Sequence, residues 1–172
     1  MRIADVADRE FTWNQPSMWK SHYQLFSNAT LLADLTYSGL LQNRARIESA
    51  DGCWDLRYRG FWQRQVDFSP CGSDQVIATY QINFWKGGGL LVFPFDRTLK
   101  LNANLWRNEI TLTMPESDLP LVRCTRPSIW RIAGAITIEP GASFLPALPL
   151  TVLLCWFAQV QQIREQMAAA AA

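Results

Sequence analysis

The chain has 172 residues, 16 Lys+Arg against 15 Asp+Glu, and one His, so its formal net charge of +1 gives no polyelectrolyte basis for nucleic-acid binding. The length suits one domain with a proper core, and 49% hydrophobic against 18% charged residues excludes a disordered chain. Arg supplies 13 of the 16 basic residues, and there are 8 Trp where roughly two would be ordinary.

Residues 1–10 carry Arg2, Asp5, Asp8, Arg9 and Glu10 and lack the apolar stretch of a secretory leader. Short strands are then predicted at 23–26, 31–36 and 45–49, with Ser21-His22-Tyr23-Gln24 leading into the first of them. Asp51-Gly52 reads as a two-residue hairpin turn, because both positions tolerate positive φ. Trp54, Leu56 and Tyr58 share one face of the next strand, with Asp55, Arg57 and Arg59 on the other. Trp62, Arg64, Val66 and Phe68 alternate with Gln63, Gln65 and Asp67. Loops are predicted at 69–73, 87–89 and 115–118, between strands at 76–84, 90–95, 99–105, 110–114, 121–125 and 135–139. The 99–105 strand puts Leu99, Leu101, Ala103 and Leu105 on one face. The spacing gives about eleven or twelve strands within residues 10–140.

The period changes after Pro146. Pro146 and Pro149 suit the first turn of a helix, where a missing N–H costs little. Residues 148–158 are apolar on every face, with Thr151 the one hydroxyl, and Trp156, Val160, Ile163 and Met167 continue at helical spacing. A helix is predicted over about 146–166, followed by an Ala-rich tail at 168–172. Residues 140–163 carry no charge, which keeps a tail anchor as an alternative. The strictly apolar run, however, is shorter than the roughly 20 residues a bilayer needs, and only Arg164 flanks it. A helix with no polar face must be enclosed on all sides. The expected architecture is therefore mainly β: a single domain, 1–172, built as a closed antiparallel β-barrel of about 12 strands around a buried hydrophobic C-terminal helix.

This layout resembles the tubby C-terminal-like fold, which includes LURP-one-related proteins, phospholipid scramblases and many small bacterial proteins. The likeness is carried by Phe144-Leu145-Pro146-Ala147-Leu148-Pro149-Leu150-Thr151-Val152-Leu153-Leu154-Cys155-Trp156-Phe157, preceded by Ala133-Gly134-Ala135-Ile136-Thr137-Ile138-Glu139. Ile47-Glu48-Ser49-Ala50-Asp51-Gly52-Cys53-Trp54 adds an edge-turn-edge pattern, and the likeness spans about residues 12–163. The resemblance implies twelve strands around a helix and contact with anionic phospholipid head groups. Tubby proteins use basic surface residues for phosphoinositides, but no lipid-binding residue carries over to this chain. The calcium site and the palmitoylated cysteine cluster of scramblases are not recognised either.

No catalytic arrangement stands out. His22 is the one imidazole and is expected as a hydrogen-bonded strand residue. Asp51 and Asp55 are explained by a turn and a solvated strand face, and Gly87-Gly88-Gly89 lacks the Lys-Ser/Thr and the helix of a phosphate loop. Cys53, Cys71, Cys124 and Cys155 form no CxxC pair, so no metal or cofactor is expected, and the thiols are read as reduced and mostly buried in a cytoplasmic protein. Anion binding is the better candidate. Arg57, Arg59 and Arg64 interleave with Trp62, while Arg123, Arg126 and Arg131 accompany Trp130 in a stretch without acids. The expected partner is an anionic membrane lipid or a protein, with the chain peripheral at the membrane. The alternatives are a small-ligand barrel or enzyme with an interior site, and a tail-anchored membrane protein.

Overall fold

A computed structural model describes residues 1–5, 10–17, 20–39, 43–60, 65–83, 87–95, 97–106, 108–127, 132–145 and 147–170. Twelve antiparallel strands follow one another around a closed barrel. They are β1 (Glu10–Asn14), β2 (His22–Ser27), β3 (Thr30–Ser38), β4 (Arg44–Ser49), β5 (Gly52–Arg59) and β6 (Gln65–Pro70). The second half comprises β7 (Ala78–Asn83), β8 (Gly88–Phe93), β9 (Arg97–Ala103), β10 (Glu109–Thr113), β11 (Pro120–Thr125) and β12 (Ala133–Ile138). β1 closes the ring by pairing with both β2 and β12, which leaves no free sheet edge. One helix follows, α1 (Leu148–Ala170).

The alternation read from the sequence is the inside–outside alternation of the wall. Phe11 and Trp13, Leu25, Leu35, Ile47, Leu56, Phe68, Leu91, Leu112 and Ile136 all point inward and are at most 1% exposed. The expected helix is inside. Residues 151–160 are buried without interruption, so no face of the helix meets solvent there. Its partners come from around the whole circumference. Trp13 of β1 donates from Nε1 to Gln159 Oε1 at 2.9 Å, and Cys155 meets Cys124 of β11. The Phe157 ring lies 6.2 Å from Tyr37 of β3, 6.3 Å from Tyr58 of β5 and 5.5 Å from Phe68 of β6. Twelve strands enclose more space than their own side chains fill, and α1 occupies the remainder. Each large apolar side chain buried this way contributes roughly 1.5–3 kcal/mol.

Gly134 shows how tightly the wall is packed. A Cβ there would lie 2.4 Å from the Thr125 carbonyl oxygen and 2.6 Å from Trp13 Nε1, so the indole that caps Gln159 requires this glycine.

Several local expectations differ from the structure. His22 lies in the second strand, because Glu10–Asn14 forms one before it. Ser69 and Pro70 end β6, and Gly88 and Gly89 open β8 rather than forming a loop. A Cβ on Gly89 would come within 2.1 Å of the Gln81 carbonyl oxygen, so strand pairing itself demands glycine at that position. The hairpin turn is Ala50-Asp51, with Gly52 already paired to Ser49. Leu105 leaves the alternation and is 98% exposed, since β9 ends at Ala103. The helix starts at Leu148, with Pro149 in its first turn, and runs through part of the alanine tail.

The cysteines are the main correction. Cys53 and Cys71 form a disulfide between β5 and β6, with Cα atoms 5.4 Å apart. Trp54 pairs with Pro70, so the next register position places the two cysteines side by side. Eighteen residues of separation concealed this neighbourhood in the sequence. The Cys53→Ser/Cys71→Ser variant is expected to lose about 3 kcal/mol in urea denaturation, the value for a loop of this length.

Candidate functional site

Three of the six arginines singled out from sequence, Arg57, Arg59 and Arg123, stand on the outside, or belt, of the barrel wall, where they already hold carboxylates. Arg57 Nη1 lies 3.0 Å from Asp74, and Arg59 Nε lies 2.5 Å from Asp67. Arg123 sits between Glu109 at 3.2 Å and Glu139 at 3.6 Å. The acid-free stretch around Arg123 is therefore not an acid-free surface: β10 and the end of β12 supply the acids. Arg126 is only 6% exposed and donates to Gln166 of α1 at 3.4 Å, and burial lowers its pKa. Arg64, Trp62, Arg131 and Trp130 lie outside the described residues.

An open groove of about 520 Å³ over β3, β4 and β5 shows the same balance, with Arg44, Arg46 and Arg57 set against Asp34, Glu48 and Asp55. Arg46 donates to Asp55 at 2.8 Å and holds that carboxyl below the usual carboxylate range. His22 Nε2 meets Asp34 Oδ1 at 2.5 Å, and Asp51 accepts the backbone N–H of Ile3 at 2.7 Å. The exposed ion pairs among these groups contribute little to stability, while Asp67 is a buried carboxylate held by Arg59, Gln65 and Thr79 together.

The two rims differ far more than the belt. Connections alternate between them, because every strand reverses the last. One rim, called upper here, carries the segments that join β1 to β2, β3 to β4, β5 to β6, β7 to β8, β9 to β10 and β11 to β12. In sequence these six segments contain Lys20, Arg64, Lys86, Arg107, Arg126 and Arg131, and no acid. They also hold five of the 8 Trp: Trp19, Trp62, Trp85, Trp106 and Trp130. The other rim, where α1 begins, carries Asp51, Asp74, Asp96, Glu116, Asp118 and Glu139 in its connections, with no basic residue and no Trp. Of the residues named in these two sets, Trp19, Trp62, Arg64, Trp85, Lys86, Asp96, Arg107, Trp130 and Arg131 lie outside the described residues.

The described part of the upper rim presents large apolar groups to solvent. Leu105 is 98% exposed and Trp106 84% exposed at the turn between β9 and β10. α1 also ends at this rim. Gln166 meets Arg126 there, and Met167 and the alanines to Ala170 are exposed beyond it. Exposed Trp beside cations suits a membrane interface, where the indole body is apolar and its N–H remains wet. Sequence reasoning missed this set because it grouped residues by proximity along the chain. The alternation of connections was the signal that could have found it.

Residues 151–160 of α1 are all buried within the barrel. The space between α1 and Tyr80, Ile82 and Gly88 is about 10 Å³, at most one water's worth. A larger open groove of about 1150 Å³ lies near the acidic rim, lined by Leu90, Phe93, Phe95, Met114, Leu145 and Ala147 among others. No helix among the described residues is long and apolar enough to cross a membrane. No group of three or more His, Cys, Asp or Glu among them could hold a metal ion. No protein-family model, curated protein or solved structure matches the chain.

Proposed function

We propose that the chain is a non-enzymatic, tubby- and LURP-one-like barrel that docks on anionic phospholipid surfaces through its upper rim. The observation that supports this reading is the contrast between the two sets of strand connections: in sequence, one set holds six basic residues, no acid and five Trp, and the other six acids and neither Trp nor basic residue, with Arg2 and Arg97 the cations that flank the acidic set. A membrane surface selects for this combination. Cations near an anionic leaflet contribute on the order of 1 kcal/mol each, and inserted aromatic and aliphatic side chains add apolar burial. The acidic rim then points away, so the charge asymmetry orients the barrel as well as attracting it.

The interior offers less to a substrate, because α1 fills it. The apolar run that raised the tail-anchor alternative is the part of α1 enclosed by the wall. The expectation of a reducing cytoplasmic setting rested on unpaired thiols, and the Cys53–Cys71 disulfide removes that ground. Attachment at the membrane periphery remains part of the proposal.

The test is co-sedimentation of the full chain with vesicles. Binding is expected to vesicles containing phosphatidylserine or phosphatidylglycerol and to be weak with pure phosphatidylcholine. Attraction between exposed charges is screened within about 8 Å at physiological ionic strength, so raising salt should release much of the protein. No binding at low salt overturns the proposal.

A further inference from the structure

Cys124 and Cys155 are the two cysteines outside the disulfide, and they face each other deep in the core. Cys124 points inward from β11, between Ile110 of β10 and Ile136 of β12 in the ladder. Cys155 lies mid-way along the buried stretch of α1. Both side chains are 0% exposed, and their sulfurs are 2.8 Å apart. That separation is well inside an ordinary non-bonded contact between atoms of this size. A small displacement of either side chain closes it to bonding distance, since a disulfide needs 2.03–2.05 Å.

We propose that Cys124 and Cys155 are the site of a second disulfide, which fastens the central helix to the barrel wall. The bond forms by exchange with a small-molecule or protein disulfide. One cysteine thiolate attacks a sulfur of that oxidant and expels a thiolate. The other cysteine then attacks the mixed disulfide and expels the second. The two cysteine thiols lose two protons and two electrons, and the oxidant leaves as two thiols. An oxidant that links Cys53 to Cys71 has the right chemistry to link this pair.

The timing follows from burial. In the folded barrel no oxidant reaches either sulfur, and burial pushes the Cys124 thiol well up, away from the nucleophilic thiolate. The exchange therefore takes place during assembly, as α1 enters the closing wall. The product encloses β12 and the connection that leads into α1 in a single covalent loop. Withdrawal of the helix then requires reduction as well as unfolding.

The experiment counts thiols on the full chain. The protein is refolded from guanidinium in a mixture of oxidised and reduced glutathione, and the folded monomer is isolated by size exclusion. After acid quenching it is denatured and alkylated with iodoacetamide without reductant, then mapped by peptide mass spectrometry. The expected result is no label on Cys124 or Cys155 and a linked peptide pair, with both labelled once reductant is added. Alkylation of both residues without reductant overturns the proposal, as does a peptide joining either of them to Cys53 or Cys71. The Cys53→Ser/Cys71→Ser variant removes disulfide shuffling as a source of protection. Cys124 and Cys155 are expected to stay unlabelled in it, and labelling there overturns the proposal too.

Discussion

Phe157→Ala is expected to destabilise the barrel by about 3–5 kcal/mol, the cost of truncating a fully buried aromatic side chain. The ring is 0% exposed and lies among Tyr37, Tyr58 and Phe68, which belong to three different strands. Removing it forfeits transfer free energy and leaves a cavity bounded by a closed hydrogen-bonded wall. A closed barrel collapses onto a cavity less readily than an open sheet, which places the cost toward the upper part of that range. The neighbouring network adds to the effect: the Arg164 guanidinium lies 3.8 Å from the Tyr37 ring centroid, so a shift of Tyr37 into the void also disturbs this cation–π contact. The check is equilibrium denaturation in urea, read as a fall in midpoint at unchanged slope. Phe95→Ala is the control: that ring is 96% exposed and its loss should change stability by less than about 0.5 kcal/mol. Equal stability of the two variants would contradict a central helix that holds the barrel from within.

The strand alternation and the helix without a polar face were legible because each reports a local property. Trp54, Leu56 and Tyr58 turn inward at period two wherever the strand sits, and residues 148–158, apolar on every face, need enclosure whatever encloses them. Cross-strand facts were not legible. The register that sets Cys53 beside Cys71, and the register that brings Glu109 and Glu139 to Arg123, depend on which strands pair and at what offset. Leu105 was misread for a related reason: strict alternation continues through it, but the chain has already left β9 to turn. The contrast between the rims is an intermediate case. Every residue in it is visible in the sequence, yet it becomes a pattern only once the strands are counted and their direction alternates around a closed ring.

Leu105→Ser/Trp106→Ser should weaken binding to anionic vesicles by about tenfold to a hundredfold. Full burial of a large apolar side chain is worth roughly 1.5–3 kcal/mol, and each 1.4 kcal/mol is about a factor of ten in affinity. Both side chains stand almost wholly in water, at 98% and 84% exposure, so their loss should leave folding stability nearly unchanged and isolate the effect on binding. Lys20→Gln, at the same rim, should cost a few-fold and reduce the sensitivity to salt, because it removes one cation rather than apolar area. Two controls locate the surface. Arg46→Gln/Arg57→Gln removes belt cations that already face Asp55 and Asp74, and should stay within about twofold of wild type in affinity, since exposed, already paired charges contribute little. Phe95→Ser/Leu119→Ser removes exposed apolar groups from the acidic rim and should likewise leave binding in place. Flotation of each variant with phosphatidylglycerol-containing vesicles at two salt concentrations measures all four. If the acidic-rim variant loses binding while Leu105→Ser/Trp106→Ser retains it, the barrel docks by its other end, and attraction between the basic rim and the leaflet is not what holds it there.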